Sequence, residues 1–138
     1  MDNTLTNKTI HLDSTQESIN KVTAYIDEIY SVNSDKLNDA YGNIIIAMTE
    51  AVNNAINHGN KNNPEKKVIV AYTQTDKIIS FTIEDEGNGF DYKNVPDPTD
   101  PDNLEKINGR GIFLMTNLAD DIHFHEKGKR IELVFNLT

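Results

Sequence analysis

Across residues 35–58, Ile44, Ile45, Met48, Ala51, Val52, Ala55 and Ile56 recur at helical spacing and form one broad apolar stripe. After the polar turn "NKNNPEKK", the chain changes to β-branched runs over residues 68–75 and 78–84, separated by a short polar link. A helix with one apolar stripe has to lay it on another element, and an antiparallel hairpin directly after it supplies the sheet. The flanking segments fit this plan. Residues 9–13 read as a short strand, and Ser14 and Glu17 form a capping box opening a helix with Ile19, Val22, Ile26, Ile29 and Tyr30 on one side. "SVNSD" ends that helix and starts a second one over residues 35–58, with Gly59 as its C-terminal stop. Beyond a long segment over residues 88–108 that holds Pro96, Pro98 and Pro101, "GRGIFLMTNLADD" reads as a short apolar helix. "IHFHE" and "RIELVFNL" read as two strands joined at Lys127 and Gly128. The expected fold is one α/β (α+β) domain spanning residues 1–138, a two-layer sandwich with helices on one face of a mixed, mostly antiparallel sheet.

Charge and composition exclude several classes of function. With a net charge of -9 and a pI near 4.7, the chain lacks the cationic surface that binding to phosphate backbones or anionic membranes requires. It has no cysteine, hence no disulfide, thiol nucleophile or thiolate metal site. No signal-peptide core and no apolar run of membrane-spanning length occurs, so a cytoplasmic location is expected.

Opposite the apolar stripe of the second helix, at about 100° per residue, lie Asn43, Ala47, Glu50, Asn54 and Asn57. Asparagine is a mediocre helix former because its amide competes for backbone hydrogen bonds. Its repetition suits a face that holds a polar ligand, or one that is merely solvated. Asn53 sits about 60° off this stripe. At the end of the second apolar strand, "DEGNGF" offers Asp85 as a fixed acceptor beside Gly87 and Gly89, which permit close approach. The alternative there is a hairpin turn at Asn88-Gly89, although no strand follows promptly, and the spacing of a calcium loop is not met. "NGRGIF" is a glycine-rich turn opening a helix, suited to an anion such as phosphate. Neither the Rossmann fingerprint nor the P-loop spacing is present, so a nucleotide site here is of another design.

Taken in order, "EAVNNAINHG", "DEGNGF" and "GRGIFLM" resemble the N box and the two glycine boxes of the GHKL (Bergerat-fold) ATP-binding domain, within the histidine-kinase-like ATPase superfamily. Among its branches the chain is most similar to stand-alone bacterial anti-sigma-factor serine kinases, over nearly its whole length. The resemblance implies ATP and Mg²⁺ as cofactors. It makes Glu50 the general base and Asn54 the magnesium ligand, with Asn57 near the phosphates. Asp85, Gly87 and Gly89 would hold adenine, and Gly109, Arg110 and Gly111 would meet the phosphates. Residues 91–108 would form the ATP lid. One departure is Lys129 after Gly128, where the family commonly has Gly-Thr. The expected function is that of an anti-sigma factor with ATP-dependent protein serine kinase activity. It would sequester a sigma factor and phosphorylate a STAS-type anti-anti-sigma partner, as a homodimer. A non-catalytic ATP-dependent interaction module is the alternative. A two-component histidine kinase is disfavoured because 138 residues leave no room for a dimerisation helix pair. His58 is expected to interact with the helix C-terminus, and His123 and His125 to share an exposed strand face.

Overall fold

The computed structural model describes residues 7–87, 107–126 and 129–137. Strand β1 (Asn7–Asp13) leads into helix α1 (Ser18–Leu37), and helix α2 (Tyr41–Asn54) runs on into a π-helical turn (Ala55–Gly59). The hairpin β2 (Lys67–Gln74) and β3 (Ile78–Glu84) follows, then α3 (Ile107–Leu118), β4 (Asp121–His125) and β5 (Arg130–Asn136). The strands form one five-stranded sheet in the order β1-β2-β3-β5-β4. Every pairing among the described residues is antiparallel, so the sheet is not mixed as expected.

Register follows from which side chains must leave water. Leu12, Val68, Val70, Ile79, Phe81, Ile83, Ile131, Leu133 and Phe135 alternate along their strands and point into one buried layer with Val22, Ile26 and Ile29 of α1 and Ile44, Met48 and Val52 of α2. A run of ring contacts crosses this layer: Tyr25 meets Tyr72 edge-on at 6.0 Å, Tyr72 meets Phe81 at 6.0 Å, and Phe81 meets Phe135 at 6.1 Å. The opposite face carries the residues between them, such as Ser80, whose hydroxyl donates to Glu132 Oε2 at 2.6 Å across the β3–β5 pair. His123 and His125 share that face beside Asp121 and Glu132, at 3.1 and 3.5 Å respectively, as the alternation on β4 implies.

Four local expectations are corrected. The Ser14–Glu17 capping box does not form: the Ser14 hydroxyl donates to Lys66 O at 2.7 Å, and α1 begins at Ser18 without a side-chain cap. The first helix also continues through "SVNSD" to Leu37, so the second begins at Tyr41 rather than near Asp35. Ala47, assigned by angle to the polar stripe, is fully buried. Gly59 does not stop the helix by adopting a left-handed conformation. Lys61 and Asn62 do so, at φ 53° and 60°, while Asn60 N–H bonds to Ala55 O and Asn62 N–H to Ile56 O, both at 2.8 Å.

Candidate nucleotide site

The π turn brings the end of α2 against the end of β3. A Cβ built on Gly59 would fall under 3.0 Å from Cγ and both carboxylate oxygens of Asp85, and one on Gly87 would fall under 3.0 Å from the Gly59 carbonyl. The glycines at 59 and 87 are therefore there for close approach; neither has a left-handed φ. Asp85 ends up 9% exposed, with Oδ1 accepting the Gly87 N–H at 2.7 Å. Its backbone N–H donates to Lys129 O at 3.0 Å, which ties the corner to the start of β5. Burial pushes the Asp85 carboxyl above its ordinary value, against the opposing pull of the Gly87 N–H and the Lys129 charge. Oδ2 accepts no hydrogen bond among the described residues. A buried carboxylate with one oxygen bound and one oxygen uncommitted, beside backbone without side chains, fits a flat ring carrying an amino donor.

Glu50 and Asn54 stand one turn apart on α2, both half-buried, on the helix whose end abuts Asp85. Asn57 lies inside the π turn, where its Oδ1 accepts from Gln16 Nε2 at 3.3 Å, next to the start of α1. Asn53, about 60° off the polar stripe, has its Oδ1 buried with no partner among the described residues. Helix α3 packs against α2, and Gly109 lies in its first turn, where amide N–H groups have no intrahelical acceptor, while Gly111 is the fifth residue of the helix. The glycines expected in a turn before this helix are thus inside it. Residues 107 and 108 of the expected lid belong to α3 as well. Residues 88–106, including Gly89 and the rest of that lid, lie outside the described residues, as do Lys127 and Gly128. His58 is exposed in the π turn.

Sequence reading passed over Asn60, which lies in the polar run after the helix and is 1% exposed. Its Nδ2 donates to Ser14 Oγ and to Lys67 O, both at 2.9 Å, and its Oδ1 accepts the Glu86 N–H at 2.8 Å. Burial beside a helix end is invisible in such a run; only the tertiary contact with Glu86 reveals it.

Among the described residues, no group of three or more His, Asp and Glu could hold a metal ion. A single amide oxygen such as that of Asn54 suits Mg²⁺ only if phosphate oxygens and water complete the shell, the arrangement Mg²⁺ favours with nucleotides.

A sheet with helices on one face and a buried carboxylate walled by glycine at the end of an inner strand makes this an α+β domain with a candidate nucleotide site. The chain belongs to the family of the histidine kinase-like ATPase domain, whose model matches residues 12–135. It is 36% identical over 110 residues to the anti-sigma F factor of Bacillus subtilis strain 168, covering 75% of each chain. With the anti-sigma F factor of Bacillus licheniformis it shares 35% over 133 residues, covering 91% of this chain and 87% of the relative. The serine-protein kinase RsbW of Staphylococcus epidermidis is 32% identical over 97 residues, 64% of this chain and 61% of the relative. The crystal structure of the RsbU and RsbW domains of a Mycobacterium tuberculosis protein superposes with a TM-score of 0.66 at 19% identity, over 96% of this chain and 33% of that larger chain. That last likeness concerns the fold.

Proposed function

We infer that this protein is an ATP-dependent protein serine kinase that also acts as an anti-sigma factor. Family membership and the names of its relatives support the activity, and the observation that carries the site is Asp85, buried against Gly59 and Gly87 with one oxygen uncommitted. In this reading the adenine amino group donates to Asp85, and the base lies on the glycine backbone at 87 and 89. The free Gly109 amide at the start of α3 donates to the phosphates, Gly111 lets them approach the helix closely, and Arg110 offsets terminal-phosphate charge. Asn54 holds Mg²⁺, which when bound neutralises charge on the phosphates; Asn57 lies on the approach to them. Glu50 takes the proton from a partner's serine hydroxyl as its oxygen bonds to the γ-phosphorus and the bond from that phosphorus to the β–γ bridging oxygen breaks, leaving ADP. Residues 91–106 act as the lid.

The partners in this reading are a sigma factor and a STAS-type anti-anti-sigma protein carrying the accepting serine, and the kinase works as a homodimer in the cytoplasm. No described helix is long and apolar enough to cross a membrane.

The test is the melting temperature with and without Mg-ATP and Mg-ADP, for the wild type and Asp85→Ala. Ligand at about 100 times its Kd adds about 2.7 kcal/mol of stability. A shift in the wild type that vanishes in Asp85→Ala is expected; no shift at saturating nucleotide would overturn the nucleotide site. A single-turnover assay with a cognate serine-bearing partner then separates a kinase from a binding module.

A further inference from the structure

We propose that Asn60 is a positioning residue for the nucleotide site, holding the Asp85–Gly87 corner in place through its bond to the Glu86 N–H. The inference rests on the nucleotide-binding reading above and adds to it a residue outside the three sequence boxes. Asn60 follows the π turn directly, and its own N–H closes that turn on Ala55 O. Its carboxamide can sit in only one orientation. The Glu86 N–H can only donate, so Oδ1 faces it; the Lys67 carbonyl can only accept, so Nδ2 faces that. The second Nδ2 N–H donates to Ser14 Oγ, whose hydroxyl in turn donates to Lys66 O. Every polar atom in this chain of contacts has a partner, and both side chains are buried, Asn60 at 1% and Ser14 at 2%. Four segments therefore meet at one amide: the end of β1, the end of α2, the start of β2 and the residue between Asp85 and Gly87.

The placement matters because Asp85 has little freedom of its own. Its carboxylate is confined between Gly59 and the Gly87 N–H, so its direction is set by the backbone at residue 86; Asn60 holds the N–H of that residue, while the Glu86 carboxylate accepts the Lys67 N–H. Ser14 supports the same amide from its far side without touching the corner. Two roles can thus be separated by substitution: removing Ser14 loosens the network, whereas removing Asn60 also releases Glu86.

The experiment is calorimetric titration of the full chain with Mg-ADP at a temperature well below each variant's Tm, for wild type, Ser14→Ala, Asn60→Ala and Asn60→Asp. Each substitution is expected to lower the apo Tm. Asn60→Ala is expected to raise Kd about tenfold or more at unchanged stoichiometry, the effect of releasing a buried backbone donor beside the ligand. Ser14→Ala is expected to keep Kd within about twofold of wild type, since its loss leaves the Glu86 bond intact. Asn60→Asp keeps the acceptor and loses both donors, and remains informative if Asn60→Ala does not fold; its Kd is expected within about threefold of wild type. An unchanged Kd in folded Asn60→Ala, or a tenfold rise in Asn60→Asp, would overturn the role assigned to Asn60 while leaving the nucleotide site standing. Absence of binding by the wild type would remove that site and this inference together.

Discussion

Replacing Gly59 by alanine turns the close approach at the site into a measurement of sign. In a helical segment whose backbone conformation an ordinary residue can adopt, Gly→Ala stabilises by about 0.5–1 kcal/mol, because the unfolded chain loses freedom. Gly42 in the first turn of α2 is such a position, since a Cβ there would meet nothing within 4 Å. At Gly59 the same methyl group would lie under 3.0 Å from the Asp85 carboxylate, which the Gly87 N–H holds from its other side. Overpacking of this kind costs about 1–3 kcal/mol. An unfolding entropy of about 2.1 cal/mol/K per residue makes 1 kcal/mol worth about 3.5 °C for a chain of this length. Gly59→Ala is therefore expected to lower Tm by about 3–10 °C, and Gly42→Ala to raise it by about 2–3 °C. Differential scanning calorimetry of the apo protein gives both values, and titration with Mg-ADP shows whether the displaced Asp85 still binds. The Asp85→Ala background adds a third arm: with the carboxylate gone, most of the Gly59→Ala penalty is expected to disappear, a coupling of about 0.5–3 kcal/mol. A rise in Tm for Gly59→Ala matching that of Gly42→Ala, with nucleotide binding retained, would refute the claim that this carboxylate is what requires glycine at position 59.

The raised Asp85 carboxyl has a pH signature. Between its unfolded value of 3.8 and its higher folded value, the native state holds a proton that the unfolded chain has released, so stability falls as pH rises through that window and stays reduced above it. Asp85→Asn is accordingly expected to melt higher than wild type at neutral pH, to lose that advantage as pH falls below 3.8, and to bind Mg-ADP poorly at every pH; calorimetry across pH 3–8 checks all three. Glu50→Ala is expected to keep nucleotide affinity and to slow phosphoryl transfer to a cognate serine-bearing partner by about 100-fold or more in single-turnover assays, and unchanged transfer would remove Glu50 as the base. Leu133→Ala, at a fully buried position on an inner strand, is expected to cost about 2–5 kcal/mol in urea denaturation.

What could be read directly from the sequence was the part of the fold determined by local pattern. The alternation in β2, β3 and β5 and the stripe on α2 depend only on which residues leave water, so the β2–β3 hairpin and the two-layer order follow from them, whereas the β3–β5 pairing does not. That Asp85 would be a fixed acceptor at the end of an apolar strand was legible as well, and its Oδ1 accepts the Gly87 N–H. The details that escaped share a cause: each depends on a partner far along the chain. Ser14 looked like a helix cap, but Lys66 and Asn60 claim its hydroxyl from 52 and 46 residues away. Gly59 looked like a helix stop, but its lack of a side chain answers to Asp85. Asn60 looked like turn polarity, and Asn53 was placed off the stripe while its Oδ1 is buried. Ala47 was placed among polar neighbours by angle alone, and angle does not report burial.

The strand order also governs how the sheet is assembled during synthesis. β5 is the last of the described strands in chain order, yet it lies inside the sheet, between β3 and β4. A nascent chain that has reached His125 holds the hairpin of β2 and β3 and the lone strand β4, with the gap between them unfilled. Until residues 130–136 emerge, Ile79, Phe81 and Ile83 line a sheet edge with free backbone donors and acceptors, the kind of edge that recruits strands from other chains. The Asp85 corner is incomplete over the same interval, because its backbone N–H waits for Lys129 O. The Asp85 corner and the shielded edge of β3 are therefore completed together, when β5 enters the sheet.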